Sequence, residues 1–346
     1  MPRFPIQSLA RAIRPQLVPI ALVLVTLVHP LATLLAQLDW KADLLSHFQG
    51  PAFVVTILGA VLLVWWRRRW PALALMALAL SQFPPLWQFQ AANPVPPDPD
   101  APQRLLVLVS NVHSRNQNHE ALERLIRAEQ PDVVGLVEFN QNWQAGLARV
   151  AREYPYRVEF PYGTQGVALW LKQPPPSDRE PPELVFIGSS GYPALSVATS
   201  FAGQPLDLWL VHPPNPLDPR GRTQGPTELL SLARAIHRTE GARLILGDLN
   251  RTEGSPYFRS FLQATGTRDS RLGFGRQPSW PTWSPLYRIA IDHVFPGPEL
   301  AVRDRRLGPN IGSDHFPVIV ELAPSAWRGS GSARNALTQS AQGSGW

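Results

Sequence analysis

The stretch Arg243-Leu244-Ile245-Leu246-Gly247-Asp248-Leu249-Asn250 is an apolar run that stops on a carboxylate and reaches a carboxamide two residues later. A short aliphatic run bounded by turn formers is typical of a buried strand. Because side chains alternate between the faces of a strand, Asp248 and Asn250 are expected on one face, directed at one reaction centre. Alternatively, Asp248 caps the following helix, since Asp is a good helix starter.

The composition excludes several kinds of site. The chain has no cysteine, which rules out disulfides, thiolate metal sites and a cysteine nucleophile. Of its 32 basic and 26 acidic residues, seven and two precede residue 95, so 25 and 24 follow. The later part is therefore nearly neutral and lacks the overall basic charge typical of nucleic-acid binding, although a local basic patch is compatible with it.

Three long apolar runs in residues 1–91 predict an α-helical membrane anchor. They are Leu17–Leu38, Pro51–Trp66 and Trp70–Phe89, and tryptophans lie where interfacial aromatic residues are common. The first run is longer than the core of a signal peptide, and two more runs follow it. We predict three transmembrane helices, with a second segment that does not fully cross as the alternative.

The flanking charges predict the orientation of the anchor. Arg3, Arg11 and Arg14 precede the first run, and Arg67-Arg68-Arg69 separates the second from the third. Short basic flanks tend to stay in the cytoplasm. Three crossings then place the remainder of the chain on the extracytoplasmic side of the cell (inner) membrane, in a multi-pass protein.

Composition also marks the other boundaries. Residues 92–103 contain five prolines and predict an extended linker. Residues 324–346 are rich in Ser, Gly, Ala and Gln without apolar periodicity, which predicts a disordered tail. The domain that remains, 104–323, alternates between strand and helix patterns.

Apolar runs in residues 104–323 indicate two packed sheets flanked by helices. Helical spacing is found at Glu120–Glu129 and at Thr227–His237, where Pro226 would lie in the first turn. The other strand candidates are Leu105–Ser110, Asp132–Val137, Tyr156–Phe160, Val167–Leu171, Glu183–Ile187, Ala194–Phe201, Leu206–Val211, Ile289–Phe295 and Val318–Leu322.

Eight polar residues lie at or just past the ends of apolar runs, or inside one. Each has an ordinary explanation as a turn residue, a solvated acid or a structural histidine. Together, carboxylates, carboxamides and imidazoles at one sheet edge are typical of a metal-assisted hydrolase acting on phosphate. The set comprises Asn111, Glu138, His212, Asp248, Asn250, Asp292, Asp314 and His315.

The order of these residues resembles the endonuclease/exonuclease/phosphatase superfamily. Its most specific parts are Gly247-Asp248-Leu249-Asn250 and Gly312-Ser313-Asp314-His315-Phe316-Pro317. The resemblance implies an α/β (α+β) four-layer sandwich, two packed mixed sheets flanked by helices, preceded here by the membrane anchor. With the three apolar runs, the chain is similar to the membrane-anchored branch that includes teicoplanin-resistance-type phosphatases.

The resemblance also implies roles for the site residues. A divalent ion, Mg²⁺ with Mn²⁺ as the alternative, would be held by Glu138, Asn111 and Asp314, whose oxygen ligands suit it. Asp248 would deprotonate the attacking water, and Asn250 would position the water or the phosphate. His212 and His315 would stabilise negative charge on the phosphoryl oxygens, with Asp292 orienting His315.

Two positions depart from the family pattern, and one loop is ambiguous. His113 stands where many relatives carry Asp or Asn, which would alter the metal shell, and Val137 stands where Gln is common before Glu138. The stretch Ser279-Trp280-Pro281-Thr282-Trp283 resembles a loop that precedes the Asp292 strand in relatives. Its paired tryptophans are explained by packing, by substrate contact or by contact with a bilayer surface.

The leading functional hypothesis is an outward-facing, metal-dependent hydrolase of phosphate esters or pyrophosphates, including lipid-linked ones such as undecaprenyl pyrophosphate. The partners expected are a phosphate-containing substrate and the membrane, without nucleic acid or a partner protein. The alternatives are an extracytoplasmic nuclease or sphingomyelinase-like phosphodiesterase, and an inactive binding module.

Overall fold

The computed structural model describes residues 18–326 except 178, 187, 189, 239 and 240. The chain divides into two compact units, Met1–Trp87 and Gln88–Trp346. The basic residues Arg3, Arg11 and Arg14 and the tail beyond Ala326 lie outside the described residues.

The first unit is helical. Its helices are α1 (Val18–Leu35), α2 (Trp40–Ser46), α3 (Gln49–Trp65) and α4 (Arg69–Ala91). By length and composition, α1 and α4 could each cross a membrane, and α2 with α3, bent by 70°, would be a third span if counted together. The Asp39 carboxylate starts α2 by accepting hydrogen bonds from the amides of Lys41 and Ala42.

These helices expose large apolar side chains around a small core. Ala60, Leu63 and Leu75 are buried, whereas Leu24 and Leu58 are largely exposed. Exposed apolar surface on this scale marks a membrane or a protein interface. The first unit is therefore a candidate membrane anchor.

The second unit contains eleven described strands in two mixed sheets. The strand orders are β10-β11-β1-β2-β4-β3 and β5-β6-β7-β8-β9, with β1 parallel to β2, β7 parallel to β8 and all other neighbours antiparallel. The bounds are β1 (Leu105–Asn111), β2 (Val133–Val137), β3 (Tyr156–Phe160), β4 (Val167–Leu171), β5 (Glu183–Phe186), β6 (Pro193–Phe201), β7 (Gln204–Val211), β8 (Ala242–Asp248), β9 (Asp292–Pro296), β10 (Leu300–Leu307) and β11 (Val318–Pro324).

The two sheets pack face to face, and helices cover their outer faces. The apolar layer between them includes Val109 of β1 and Leu208 of β7. Helices α5 (His119–Glu129) and α6 (Gln141–Ala151) cover the six-stranded sheet, and α7 (Pro219–His237) and α8 (Pro256–Thr265) cover the five-stranded one. The predicted four-layer sandwich is confirmed.

Gly135 marks a point of close approach between the sheets. A Cβ atom on this residue of β2 would lie 2.4 Å from Leu246 Cδ1 of β8. That distance is far inside van der Waals contact, so any side chain at this position would force the Leu246 side chain to move.

The structure corrects several predicted elements. Helix α7 begins at Pro219, after the cap Asp218, so Pro226 lies inside the helix and not in its first turn. Strand β9 begins at Asp292, because Ile289 pairs with Trp280 as an isolated bridge. Strand β10, α6 and α8 were not predicted.

The proline-rich linker is partly paired with the end of the last strand. Pro97 forms a bridge with Ser325, the Asp98 amide donates to the Pro324 carbonyl at 2.8 Å, and the Ala326 amide donates to Pro96. The middle of the predicted linker is thus hydrogen-bonded to the first residues of the predicted tail.

Candidate functional site

Strand register brings the polar residues from both sheets to one edge. In the six-stranded sheet Asn111 of β1 pairs with Val137 of β2, so Glu138 follows directly beside it. In the five-stranded sheet Asp248 of β8 pairs with Asp292 of β9. His212 comes directly after β7, the parallel neighbour of β8.

Asn111 joins the two sheets at this edge. Its Nδ2 donates to Glu138 Oε1 and to Asp248 Oδ2, each at 3.1 Å. Asp248 is not a helix cap, because the next helix starts eight residues later and is preceded by Ser255. The carboxylate that ends β8 instead belongs to a buried hydrogen-bonded group spanning both sheets.

Asn250 reaches the site through a turn and not through strand alternation. Strand β8 ends at Asp248, and Asn250 has a left-handed backbone with a φ of 53°. Its amide donates to Asp248 Oδ1 at 2.8 Å, and its Nδ2 donates to the Pro213 carbonyl at 3.0 Å. The prediction that strand alternation places Asn250 on the same face as Asp248 is therefore wrong. An Asx turn positions the Asn250 side chain at the site instead.

His315, Asp292 and Ser279 form a second buried group. Asp292 Oδ2 lies 2.9 Å from His315 Nδ1 and accepts from the Ser279 hydroxyl at 2.5 Å. Burial lowers the pKa of His315, but the Asp292 carboxylate outweighs it and raises that pKa to about 10. His315 is thus an imidazolium at neutral pH.

His212 and Asp248 have the opposite protonation tendencies. His212 Nε2 lies 3.9 Å from Asp248 Oδ2, and its Nδ1 has no hydrogen-bond partner among the described residues. Burial lowers the pKa of His212 to about 4. Burial, followed by the charge of Asp292, raises the pKa of Asp248 to about 7. A neutral imidazole therefore faces a carboxyl that can exchange a proton near neutrality.

Glu138 is ionised in a constrained loop. Burial opposes its charge, but the His212 ring, the Ser114 amide and Asn111 together lower its pKa. The Ser114 amide donates to Glu138 Oε2 at 3.0 Å. Glu138 and His113 both have left-handed backbones, with φ of 57° and 55°. Such conformations are uncommon for these residue types and concentrate at functional sites.

Asp314 contacts Trp280 and His113 and not the other two expected metal ligands. Its Oδ2 accepts from Trp280 Nε1 at 3.0 Å, and its Oδ1 lies 3.5 Å from His113 Nδ1. Within the described part of the chain, no hydrogen bond or ion pair joins Asp314 to Glu138 or Asn111. Asp314 Oδ1 also lies 4.0 Å from His315 Nε2, so the structure brings all eight predicted residues into one contiguous group, which Asp314 joins through His315.

Sequence patterns did not assign a role to Ser279 or Trp280. Both contact site residues directly, Ser279 through Asp292 and Trp280 through Asp314. Their loop resembles one that precedes the Asp292 strand in relatives, but no periodicity connects it to β9. That resemblance gave no role to either residue.

The donor set fits a hard divalent cation. Asp248, Asp292 and His315 offer atoms within 4.8 Å of one another, and Asp292 Oδ1 is buried without a hydrogen-bond partner in the described structure. The imidazolium form of His315 cannot bind a metal. Ionised Glu138 offers carboxylate oxygens of the type that Mg²⁺ prefers, and Asn111 offers Oδ1, which also accepts the His113 amide at 3.0 Å.

Behind β9, a buried ionic group supports the site. Arg271 is fully buried and donates to Asp269 Oδ2 at 2.6 Å and to Glu253 Oε2 at 2.9 Å. The Arg271 guanidinium outweighs burial and lowers the pKa of Asp269 to about 2. The next residue, Ser270, bonds Val294 of β9 through its amide and Arg305 through its hydroxyl.

We expect Asp269→Asn to lower the free energy of unfolding by about 3 kcal/mol at pH 6, because Arg271 loses one of its two buried charged partners. The pKa of Asp269 in the folded state lies below its ordinary value of 3.8, so its contribution to stability is present above pH 4 and is lost toward pH 2. The gap in Tm between wild type and variant should narrow as the pH falls through this window. A gap that stays constant from pH 6 to pH 2 would contradict the ionic origin.

Residues 108–315 match the family model described as "Endonuclease/Exonuclease/phosphatase family". The chain belongs to the endonuclease/exonuclease/phosphatase family. Members of this family are typically phosphoesterases and generally use divalent metals. No curated protein matches the chain significantly.

Solved structures of the endonuclease/exonuclease/phosphatase fold resemble the chain at low identity. D. rerio TDP2 complexed with a single-strand DNA product is 17% identical with a TM-score of 0.53, covering 64% of this chain and 99% of that one. A family protein from Leptotrichia buccalis is 18% identical with a TM-score of 0.51, covering 63% and 99%. At these identities the likeness establishes the fold.

Proposed function

We propose that this protein is a membrane-anchored, outward-facing, divalent-metal-dependent hydrolase of phosphate esters or pyrophosphates, with lipid-linked pyrophosphates as the leading substrate class. The observation that carries the proposal is the pair of contacts by which Asn111 holds Glu138 and Asp248 together, next to the Asp292–His315 ion pair. A base, a cationic acid and oxygen ligands then lie within one buried group.

In this proposal each residue has one task. Asp248 accepts the proton of the attacking water, which its pKa near neutrality favours. The His315 imidazolium, held by Asp292, stabilises charge on the phosphoryl oxygens, and neutral His212 donates to the phosphate. Asn250 orients the water or the substrate.

Glu138 and Asn111 would hold the divalent ion, Mg²⁺ in the first place and Mn²⁺ as the alternative. When bound, such an ion polarises the phosphoryl group as a Lewis acid. Asp314 would contribute from the rim, where His113 faces it.

A nucleic-acid phosphodiesterase is the second candidate, because a neighbour of the same fold is complexed with single-strand DNA product. The balance of 25 basic and 24 acidic residues after residue 94 disfavours it, since binding to the phosphate backbone relies on excess positive charge. An inactive binding module is disfavoured because competent residues occupy all eight expected positions.

The substrate is tested with the full chain in detergent and Mg²⁺, assayed against a polyprenyl pyrophosphate, sphingomyelin and single-stranded DNA. We expect release of inorganic phosphate from the lipid pyrophosphate to be the fastest reaction. Faster cleavage of DNA would replace the proposal with the nuclease, and faster release of phosphocholine would replace it with the sphingomyelinase-like enzyme.

The orientation makes a separate prediction. A reporter fused after Gln103 should lie on the extracytoplasmic side. The arginine-rich flanks favour the cytoplasm, and three predicted spans separate the amino terminus from Gln103. Alkaline phosphatase should be active at this position and green fluorescent protein dark. The reverse pattern would place the catalytic unit in the cytoplasm and promote an intracellular phosphodiesterase.

A further inference from the structure

The loop between Trp280 and Ile289 presents an apolar tip. The backbones of these two residues pair and close the loop at its base. At the tip Trp283 is 72% exposed, Leu286 55% and Tyr287 53%. Three large apolar side chains on one short loop form an exposed apolar cluster, unlike apolar residues scattered singly over a surface.

Hydrogen bonds hold this loop in one shape. The Thr282 amide donates to the Asp314 carbonyl at 2.9 Å, and the Thr282 hydroxyl donates to the Ser313 carbonyl at 3.0 Å. Arg288 crosses the loop and donates to the carbonyls of Pro281 and Thr282 at 3.0 and 2.9 Å. The exposed side chains are therefore presented by a braced loop, which lowers the entropy that their ordering would cost.

The base of the loop is built from the same segments as the active site. Trp280 Nε1 donates to Asp314 Oδ2, and the Phe316 amide donates to the Ser279 carbonyl at 2.9 Å. Ser279 in turn bonds Asp292, the partner of His315. A surface that binds the loop tip would therefore lie at a fixed distance from the reaction centre.

We propose that the tip formed by Trp283, Leu286 and Tyr287 docks into the interfacial region of a phospholipid bilayer. Trp and Tyr have an apolar body and a polar end, which suits the headgroup region, and Leu adds apolar area. The same chain carries two helices long and apolar enough to cross a membrane. The inference rests on the membrane anchoring in the proposed function and adds a second, loop-mediated contact beside the active site.

Such docking would favour substrates whose phosphate lies at the headgroup level. Single-stranded nucleic acid also stacks on exposed aromatic rings, but it relies on neighbouring positive charge. Within 280–289 the only charged residue is Arg288, and its guanidinium is engaged with backbone carbonyls and the Phe316 ring. The loop therefore favours a lipid surface over a polyanion.

The absence of cysteine allows a direct test in the full chain, because a single thiol can be introduced for labelling. Leu286→Cys is labelled with an environment-sensitive fluorophore and reconstituted in phosphatidylcholine and phosphatidylglycerol vesicles containing spin-labelled lipid. The matched control is Arg152→Cys, an exposed position directly after α6, whose N-cap Asn140 is bonded to Ser114. The 11 residues of this helix place the label about 16 Å from the helix start.

We expect a blue-shifted emission at Leu286→Cys and lipid quenching at least about twofold stronger than at the control, because only the tip enters the interface. Tyr287→Cys replaces it if the first variant does not fold. Equal, weak quenching at both positions in protein that floats with vesicles would overturn the loop contact and leave the anchoring intact. Protein that does not float with the vesicles would overturn both the loop contact and the membrane anchoring.

Two other occupants are distinguished in the same experiment. An emission shift on adding a single-stranded oligonucleotide, without lipid quenching, would make the tip a stacking surface for nucleic acid. A shift that depends on the protein-to-lipid ratio would make it a contact between two copies. Either result replaces the bilayer as the occupant.

Discussion

Asp248→Asn is expected to keep the fold and to lower the turnover number by more than the factor of about 10² to 10⁴ that general-base catalysis supplies. Asparagine retains the shape of the side chain and accepts the Asn250 amide, but it cannot take a proton from water. The measurement is kcat on the best phosphate substrate at saturating Mg²⁺. The matched control is Asp304→Asn on the edge strand β10, where the same chemical change affects an exposed ion pair with Arg306.

The stability of Asp248→Asn should not fall with its turnover number. The pKa of Asp248 is raised from 3.8 to about 7 in the folded state, so its contribution to stability is present below pH 3.8 and lost as the pH rises through 7. Above pH 7 the buried charge disfavours the folded state, which offsets the Asn111 hydrogen bond that asparagine cannot accept, so Asp248→Asn should unfold close to the wild-type temperature. Preserved turnover with about 1 kcal/mol of lost stability would indicate a structural role instead.

Glu138→Gln should raise the Mg²⁺ concentration for half-maximal activity by about tenfold or more, because it removes the negative charge that attracts the ion while keeping the shape. The single carbonyl oxygen of glutamine can accept only one of the two hydrogen bonds that Asn111 and Ser114 donate, so the fold should persist with a local loss of stability. Glu183→Gln, at an exposed position of β5, is the control. The measurement is a Mg²⁺ titration of activity, and an unchanged midpoint would refute the ligand assignment.

His113 is a companion test of the same metal shell. An imidazole near the ion favours Mn²⁺ or Zn²⁺ over Mg²⁺, whereas the carboxylate introduced by His113→Asp offers the oxygen ligands that Mg²⁺ prefers. The variant should move the preference toward Mg²⁺.

Sequence patterns predicted the strands that are buried on both faces and missed one of the four edge strands, β10. β2 and β4 are continuous apolar runs between a sheet and a helix layer, and their periodicity is unambiguous. β10 contains the charged run Arg303, Asp304, Arg305 and Arg306, which predicts a loop. It is a strand because β11 supplies its hydrogen bonds and because Ser270 and Gln277 bond the buried Arg305.

Helix starts show the same limit of local patterns. Pro226 favoured a start at Thr227, but Asp218 accepts from the Arg220 amide and Pro219 occupies the first turn, so α7 begins eight residues earlier. Gly221 and Gly225 obscured the first two turns, since glycine is a poor helix former. Packing against the five-stranded sheet outweighs that local cost.

The sequence predicted which residues belong to the site, but it did not predict how they are arranged. Strand ends identified Asn111, Glu138 and Asp248, because parallel neighbours place their carboxyl ends at one edge. The left-handed backbone of Glu138 and Asn250 and the hydrogen bond from Ser279 to Asp292 depend on contacts between distant segments. No local periodicity encodes them.

The central claim is that residues from both sheets form a metal-dependent centre for phosphate hydrolysis. Its most direct test is the rate of phosphate release from a lipid pyrophosphate by the full chain before chelation, after EDTA treatment and after restoring Mg²⁺. We predict that the activity is lost on chelation and recovered with Mg²⁺, and that Asp248→Asn stays inactive throughout. A rate that is unaffected by EDTA, or that survives in Asp248→Asn, would contradict the account.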